Sequence, residues 1–289
     1  MSFSSFSQSK LNQFLKPSDT LNLQRRNAVI ISEASLAGLT LIGLNELWYK
    51  DHPSSKFHTL NDNNEWLQMD KIGHAFSSYQ ISKYGANILN WSGASKNDQL
   101  IYGSVLGFTF LSTVEVFDGF SQEWGFSWGD IAANTTGLSL FVGQELLWKE
   151  QRIAIKYSFH QTRFADKRPE KLGEGLFEEL IKDYNGQTFW VSANLHSFFK
   201  GDKLPKWLNI AVGYGADGML TGFNEYDNQL FMNQNRFRQY YLSLDIDLSR
   251  IKTNSHVLRS ILDIFNVFKI PFPTLEFNKN GAVFHLFYY

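Results

Sequence analysis

The sequence predicts an α+β protein, an N-terminal four-helix bundle followed by a strand-rich, barrel-like antiparallel C-terminal part. Three observations predict it. Up to Glu150 the apolar residues recur at helical spacing. Beyond it they alternate with polar or small residues, the period of a strand with two unlike faces. Three of the helical stretches also carry paired polar residues, Asp70 with His74, Glu115 with Asp118, and Asp130 with Asn134. Residues three or four apart share a helix face, so the pairs mark an inward polar cluster.

Residues 1–27 form a polar N-terminal segment, with Pro17-Ser-Asp-Thr20 as a helix-start signal. Ser2–Gln8 reads as the tail of a signal peptide and equally as a frayed end. The helical domain spans 28–150. Its first helix runs from Ala28 to Trp48, mostly apolar but carrying Glu33 and Glu46. Glu33 is placed to join the cluster or to pair with Arg25 or Arg26. After a polar loop come helices at about 65–90, 97–117 and 129–150. Their charge-free stretches are short of the roughly 20 residues a membrane span needs. Gly103 with Gly107, and Ala133 with Gly137, are small-xxx-small pairs that let helices approach closely. Tight packing around a polar centre fits these helices better than four independent spans.

The second domain, 151–289, alternates in Ile153–Phe159, Phe189–His196, Leu208–Gly215, Tyr240–Ser249 and Gly281–Tyr289. Aromatic-rich strands and a closing aromatic strand favour an outer-membrane type of barrel, whereas five or six strands fall below its usual eight or so. A half-embedded or curled sheet packed against the helices is the expectation. Gly213-Tyr-Gly215 sits in a strand pattern, where Gly marks close backbone approach. His196 and His285 read as surface or lumen residues. An amphipathic helix at 256–269 interrupts the strands, and without a basic polar face it reads as packing on the sheet.

Composition narrows the function classes. A net charge of −1 shows neither a nucleic-acid footprint nor a polybasic membrane patch. The absence of cysteine excludes disulfides, thiolate metal sites and a cysteine nucleophile, and also a lipid-modified N-terminal cysteine. Aromatics at 16% suit a large core or a lipid interface.

The polar cluster supports two readings. Asp70, His74, Asp118 and Asp130 can hold a divalent metal ion, with Asn134 as a further oxygen ligand and Glu115 as a general base. One His among several oxygens suits a hard or borderline ion. Against this, Asp70 with Lys71 and Asp130 stand near helix starts, where acids cap and favour the dipole. Buried carboxylates also bond His and backbone amides simply to specify a bundle.

The ordered set Asp70-Lys71-x-x-His74, Glu115-x-x-Asp118 and Asp130-x-x-x-Asn134-x-x-Gly137 resembles the VanZ-like pattern. It is closer to the YfiM-like family of uncharacterised, predicted periplasmic envelope proteins. The resemblance covers roughly residues 28–150. It implies a helical, membrane-associated domain in the Gram-negative envelope and supplies no reaction. The expected function is therefore a non-catalytic envelope component that binds membrane lipid or envelope proteins, at the outer membrane facing the periplasm. The competing expectation is a metal-dependent hydrolase acting on an envelope lipid or cell-wall intermediate.

Overall fold

The computed structural model describes residues 10–50, 52–199, 204–223 and 235–288. The signal-like Ser2–Gln8 stretch and the terminal Tyr289 lie outside the described residues. The chain forms two compact units that exchange segments along the sequence. One comprises residues 1–62, 74–147 and 253–258, the other 63–73, 148–252 and 259–289. The sequence boundary at 150 falls close to the main switch at 147, while the two short exchanged segments have no counterpart in the sequence reading.

The first unit is helical. Its long helices are α1 (Leu23–Leu44, extended by a wide turn at Asn45–Tyr49), α2 (Met69–Asn90, entering from the other unit), α3 (Lys96–Gly119) and α4 (Trp128–Trp148). Each N-terminus that carries a side-chain cap shows the expected chemistry. Asn22 accepts the Arg25 N–H, Ser95 that of Asp98, and Ser127 that of Asp130. Helix α2 is the one on which the others converge. A Cβ at Gly103 would overlap the Ser82 carbonyl oxygen, and one at Gly137 the Ala75 carbonyl oxygen. The small residues seen in the sequence are thus sites of backbone-to-backbone contact. Helices α1 and α3 are long and apolar enough to cross a membrane, which the charge-free stretches alone understate. Glu33 hydrogen-bonds Tyr102, and Arg25 donates instead to the carbonyls of Lys16 and Trp91.

The second unit is built on a six-stranded antiparallel sheet in sequence order. Its strands are β1 (Ile153–Phe159), β2 (Gln187–Asn194), β3 (Leu208–Asp217), β4 (Phe237–Ile246), β5 (Phe272–Asn278) and β6 (Gly281–Tyr288). The sheet does not close into a barrel. Six strands curl without meeting: the Tyr288 hydroxyl lies 3.1 Å from Thr188 on β2 and donates to Tyr241 on β4 at 2.8 Å. Strand β5 escapes the alternation reading because Pro273 stands at its register irregularity. His196 belongs to a short helix, Leu195–Phe199, and not to a strand. The amphipathic helix α5 (His256–Phe265) ends four residues early. Gly213 does mark a close approach, with the Trp190 ring where its Cβ would be.

The register reveals an inverted sheet. One cross-strand row runs Val191, Val212, Leu242, Leu275, Phe284, and every member is exposed. The neighbouring row runs Ser192, Ala211, Ser243, Thr274, His285, and its first four members are buried. The concave side is therefore the polar one. It holds a fully buried ion pair, Lys156 Nζ to Asp245 Oδ2 at 2.8 Å, and the His285–Glu276 pair at 2.7 Å. His285 is thus an interior residue with a partner contributed by β5.

Lys269 enters the same interior and lies over the Trp190 ring. Burial, reinforced by nearby Lys156 and opposed by Asp245, lowers its pKa to about 8. Its folded value lies below its unfolded one, so between about pH 8 and 10 the unfolded chain binds the extra proton. Stability of this unit is expected to rise with pH across that window, by up to about 3 kcal/mol. Lys269→Met is expected to flatten the rise. Urea midpoints for both proteins at intervals through the window test this, and parallel curves would refute it.

Candidate functional site

The first unit gathers His74, Glu115, Asp130 and Asn134 from three helices. His74 sits in the second turn of α2, Glu115 one turn before the end of α3, Asp130 and Asn134 in the first two turns of α4. Ser127 fixes both acidic positions. As the α4 cap its hydroxyl accepts the Asp130 N–H at 3.2 Å, and its own N–H donates to Glu115 Oε2 at 3.2 Å. That hydroxyl in turn donates to Asp62 at 2.7 Å. Sequence reasoning missed Ser127, although Ser-x-x-Asp at a helix start is a capping signal.

His74 stands between the acids and the amide. Its Nδ1 is 3.1 Å from Asn134 Oδ1, while its Nε2 is 3.5 Å from Glu115 Oε1 and 3.9 Å from Asp130 Oδ1. The backbone carbonyl of Asn134 accepts the Ser78 hydroxyl at 2.7 Å. Glu115 is only 1% exposed, and neither its Oε1 nor Asn134 Nδ2 has a hydrogen-bond partner among the described residues. Glu115 and Asn134 are thus buried without being saturated with hydrogen bonds. Such atoms carry a desolvation penalty of about 1–3 kcal/mol each, more when charged.

The remaining sequence candidates have other partners. Asp118, one turn beyond Glu115, accepts the Tyr49 hydroxyl at 2.7 Å. Asp70 belongs to the second unit, where it accepts from Tyr184 at 2.8 Å and from Lys71 Nζ at 3.0 Å. Lys71 thus balances a carboxylate. Just upstream, Trp66, Leu67 and Gln68 all have positive φ, of 46°, 51° and 65°. Left-handed backbone costs a non-glycine residue about 1–2 kcal/mol. The turn is tied down by Trp66 N–H to Gly222 O at 2.9 Å, by the Tyr214 hydroxyl on Leu67 O, and by Arg238 on Gln68 Oε1 at 2.6 Å. Tyr49, Tyr184 and this turn carry no local signal that links them to the motif.

Fold and site define a protein of two units, one helical around a buried polar cluster and one built on an antiparallel sheet that exposes an apolar row. Residues 57–143 match the model of a family described as predicted periplasmic lipoprotein (DUF2279), under a third of the chain. The matched segment contains Asp70, Lys71, His74, Glu115, Asp118, Asp130 and Asn134, and the match supports a periplasmic, cell-envelope location. These 289 residues include no cysteine. No curated protein and no solved structure matches the chain.

Proposed function

We propose that the protein is a non-catalytic component of the outer membrane, facing the periplasm, whose apolar outer surfaces bind lipid. The inverted sheet carries this reading. Water favours a buried apolar face, yet here the aliphatic and aromatic row is outside, with Val212 55% and Phe284 62% exposed. Apolar-out and polar-in alternation is the arrangement lipid selects. The helical unit repeats it, with Ile31, Leu36, Leu39 and Ile42 of α1 exposed while Gln80, Lys83, Gln144 and Glu145 are buried. The helices, as a bundle around the polar cluster, and the motif likeness to YfiM-like and VanZ-like proteins fit the same role. An envelope protein seated on these surfaces is the alternative occupant.

The full chain is expected to float with phosphatidylethanolamine/phosphatidylglycerol vesicles and to stay with membranes through alkaline carbonate. Leu242→Arg, on the outer row, is expected to weaken vesicle binding by about 2–4 kcal/mol, the cost of a basic residue facing the bilayer interior. Release by salt or carbonate alone, or a Leu242→Arg protein that floats like wild type, would sink the proposal.

The convergence of His74, Glu115 and Asp130 favours a second reading, a metal-dependent hydrolase of an envelope lipid or cell-wall intermediate. In its sequence-derived form Asp70, His74, Asp118 and Asp130 hold the ion and Glu115 is the base. It predicts that Asp130→Asn abolishes hydrolysis with little loss of stability, whereas an architectural cluster predicts a destabilised fold.

A further inference from the structure

We infer that His74 Nε2, Glu115 Oε1 and Asp130 Oδ1 are three ligands of a divalent-cation site in which Asn134 orients the imidazole. The inference depends neither on lipid contact nor on hydrolysis. Asn134 Oδ1 can only accept, so at 3.1 Å it accepts a hydrogen bond from the His74 Nδ1–H. In the neutral imidazole the Nε2 lone pair then faces two carboxylate oxygens at 3.5 and 3.9 Å. Both distances exceed those of a good hydrogen bond, and a lone pair facing two carboxylate oxygens is repelled by both. A cation among them reverses the sign. Two ligand atoms about 2.1 Å from a tetrahedral ion are about 3.4 Å apart, close to the 3.5 and 3.9 Å that separate Nε2 from the two carboxylates.

The surroundings have the supporting parts of a metal centre. A metal-binding imidazole commonly donates its second N–H to a carbonyl or carboxylate, which is what Asn134 provides. Glu115 is held through Oε2 by the Ser127 N–H, leaving Oε1 without a hydrogen-bond partner. One nitrogen and two carboxylate oxygens from three helices suit a borderline or hard ion such as zinc or manganese(II). The geometry also changes a role: Glu115, the general base of the sequence-derived set, becomes a ligand, while Asp118 is engaged by Tyr49.

The test is calorimetric titration of zinc chloride, and separately manganese chloride, into the chelator-treated full chain in detergent micelles. One ion per chain is expected for at least one metal. His74→Ala should weaken binding by about 100-fold or more, and Asn134→Ala by about 10- to 100-fold. Glu115→Gln keeps the oxygen that accepts from Ser127 and guards against a His74→Ala chain that fails to fold. It should weaken binding at least about tenfold at an unchanged circular-dichroism spectrum, while Asp118→Asn stays within about threefold of wild type. Absence of saturable binding by the wild type would overturn the site and leave a protonated His74 bridging two carboxylates. Equal losses in Asp118→Asn and Glu115→Gln would overturn the ligand set.

Discussion

Asp245→Asn is expected to destabilise the strand-rich unit by about 3–5 kcal/mol, the cost of leaving a buried charge without its partner. Lys156 and Asp245 are both 0% exposed. The ammonium reaches Asp245 at 2.8 Å and the Ile246 carbonyl at 2.7 Å. The carboxylate further accepts the Ser192 hydroxyl at 2.7 Å and the Ile270 N–H at 3.1 Å. The asparagine side chain keeps the shape and loses the charge, so the buried Lys156 side chain is left without its counter-charge. The pair Lys156→Met with Asp245→Leu removes both charges and is expected to recover most of the loss, because a buried ion pair is often matched by apolar residues. Chemical denaturation of the three proteins provides the comparison. A single mutant within about 1 kcal/mol of wild type would show that water reaches Lys156.

Gly137→Ala is expected to have the next largest effect, destabilising the helical unit by about 1–3 kcal/mol through overpacking. The new methyl meets the backbone of Ala75 and Tyr79, which cannot swing aside as a long side chain would. Helix α4 must therefore move away from α2. Asn134 lies one turn from Gly137 and His74 adjoins Ala75, so the displacement also opens the contact between Asn134 and His74. Gly143→Ala on the same helix is the control. Nothing lies within 4 Å of its added Cβ, and alanine is the better helix former by about 1 kcal/mol. Thermal melts should separate the two variants in opposite directions, and a Gly137→Ala protein as stable as Gly143→Ala would remove close packing as the role of that glycine.

Local chemistry made much of this molecule legible in its sequence. Helical spacing located α1 to α4 to within a few residues, and strict alternation marked Ile153–Phe159 to the residue. Those features depend on neighbours one to four positions apart, which the sequence lists directly. Alternation equally showed that each strand has an apolar and a polar face. Which face is covered was decided by the curl of six paired strands, which places Ser192, Ser243 and Thr274 inside and Val212 and Leu242 outside. Spacing likewise put Glu115 and Asp118 on neighbouring positions of one helix, but their partners come from afar. Glu115 faces His74 and Asp118 faces Tyr49 because α3 is held at one rotation by Gly103 and Gly107 against α2. Sequence by itself determined the elements and the ligand-type residues they carry. Only the tertiary structure decided which of those residues meet, since helix rotation and strand register are set by close contacts between segments far apart in the chain.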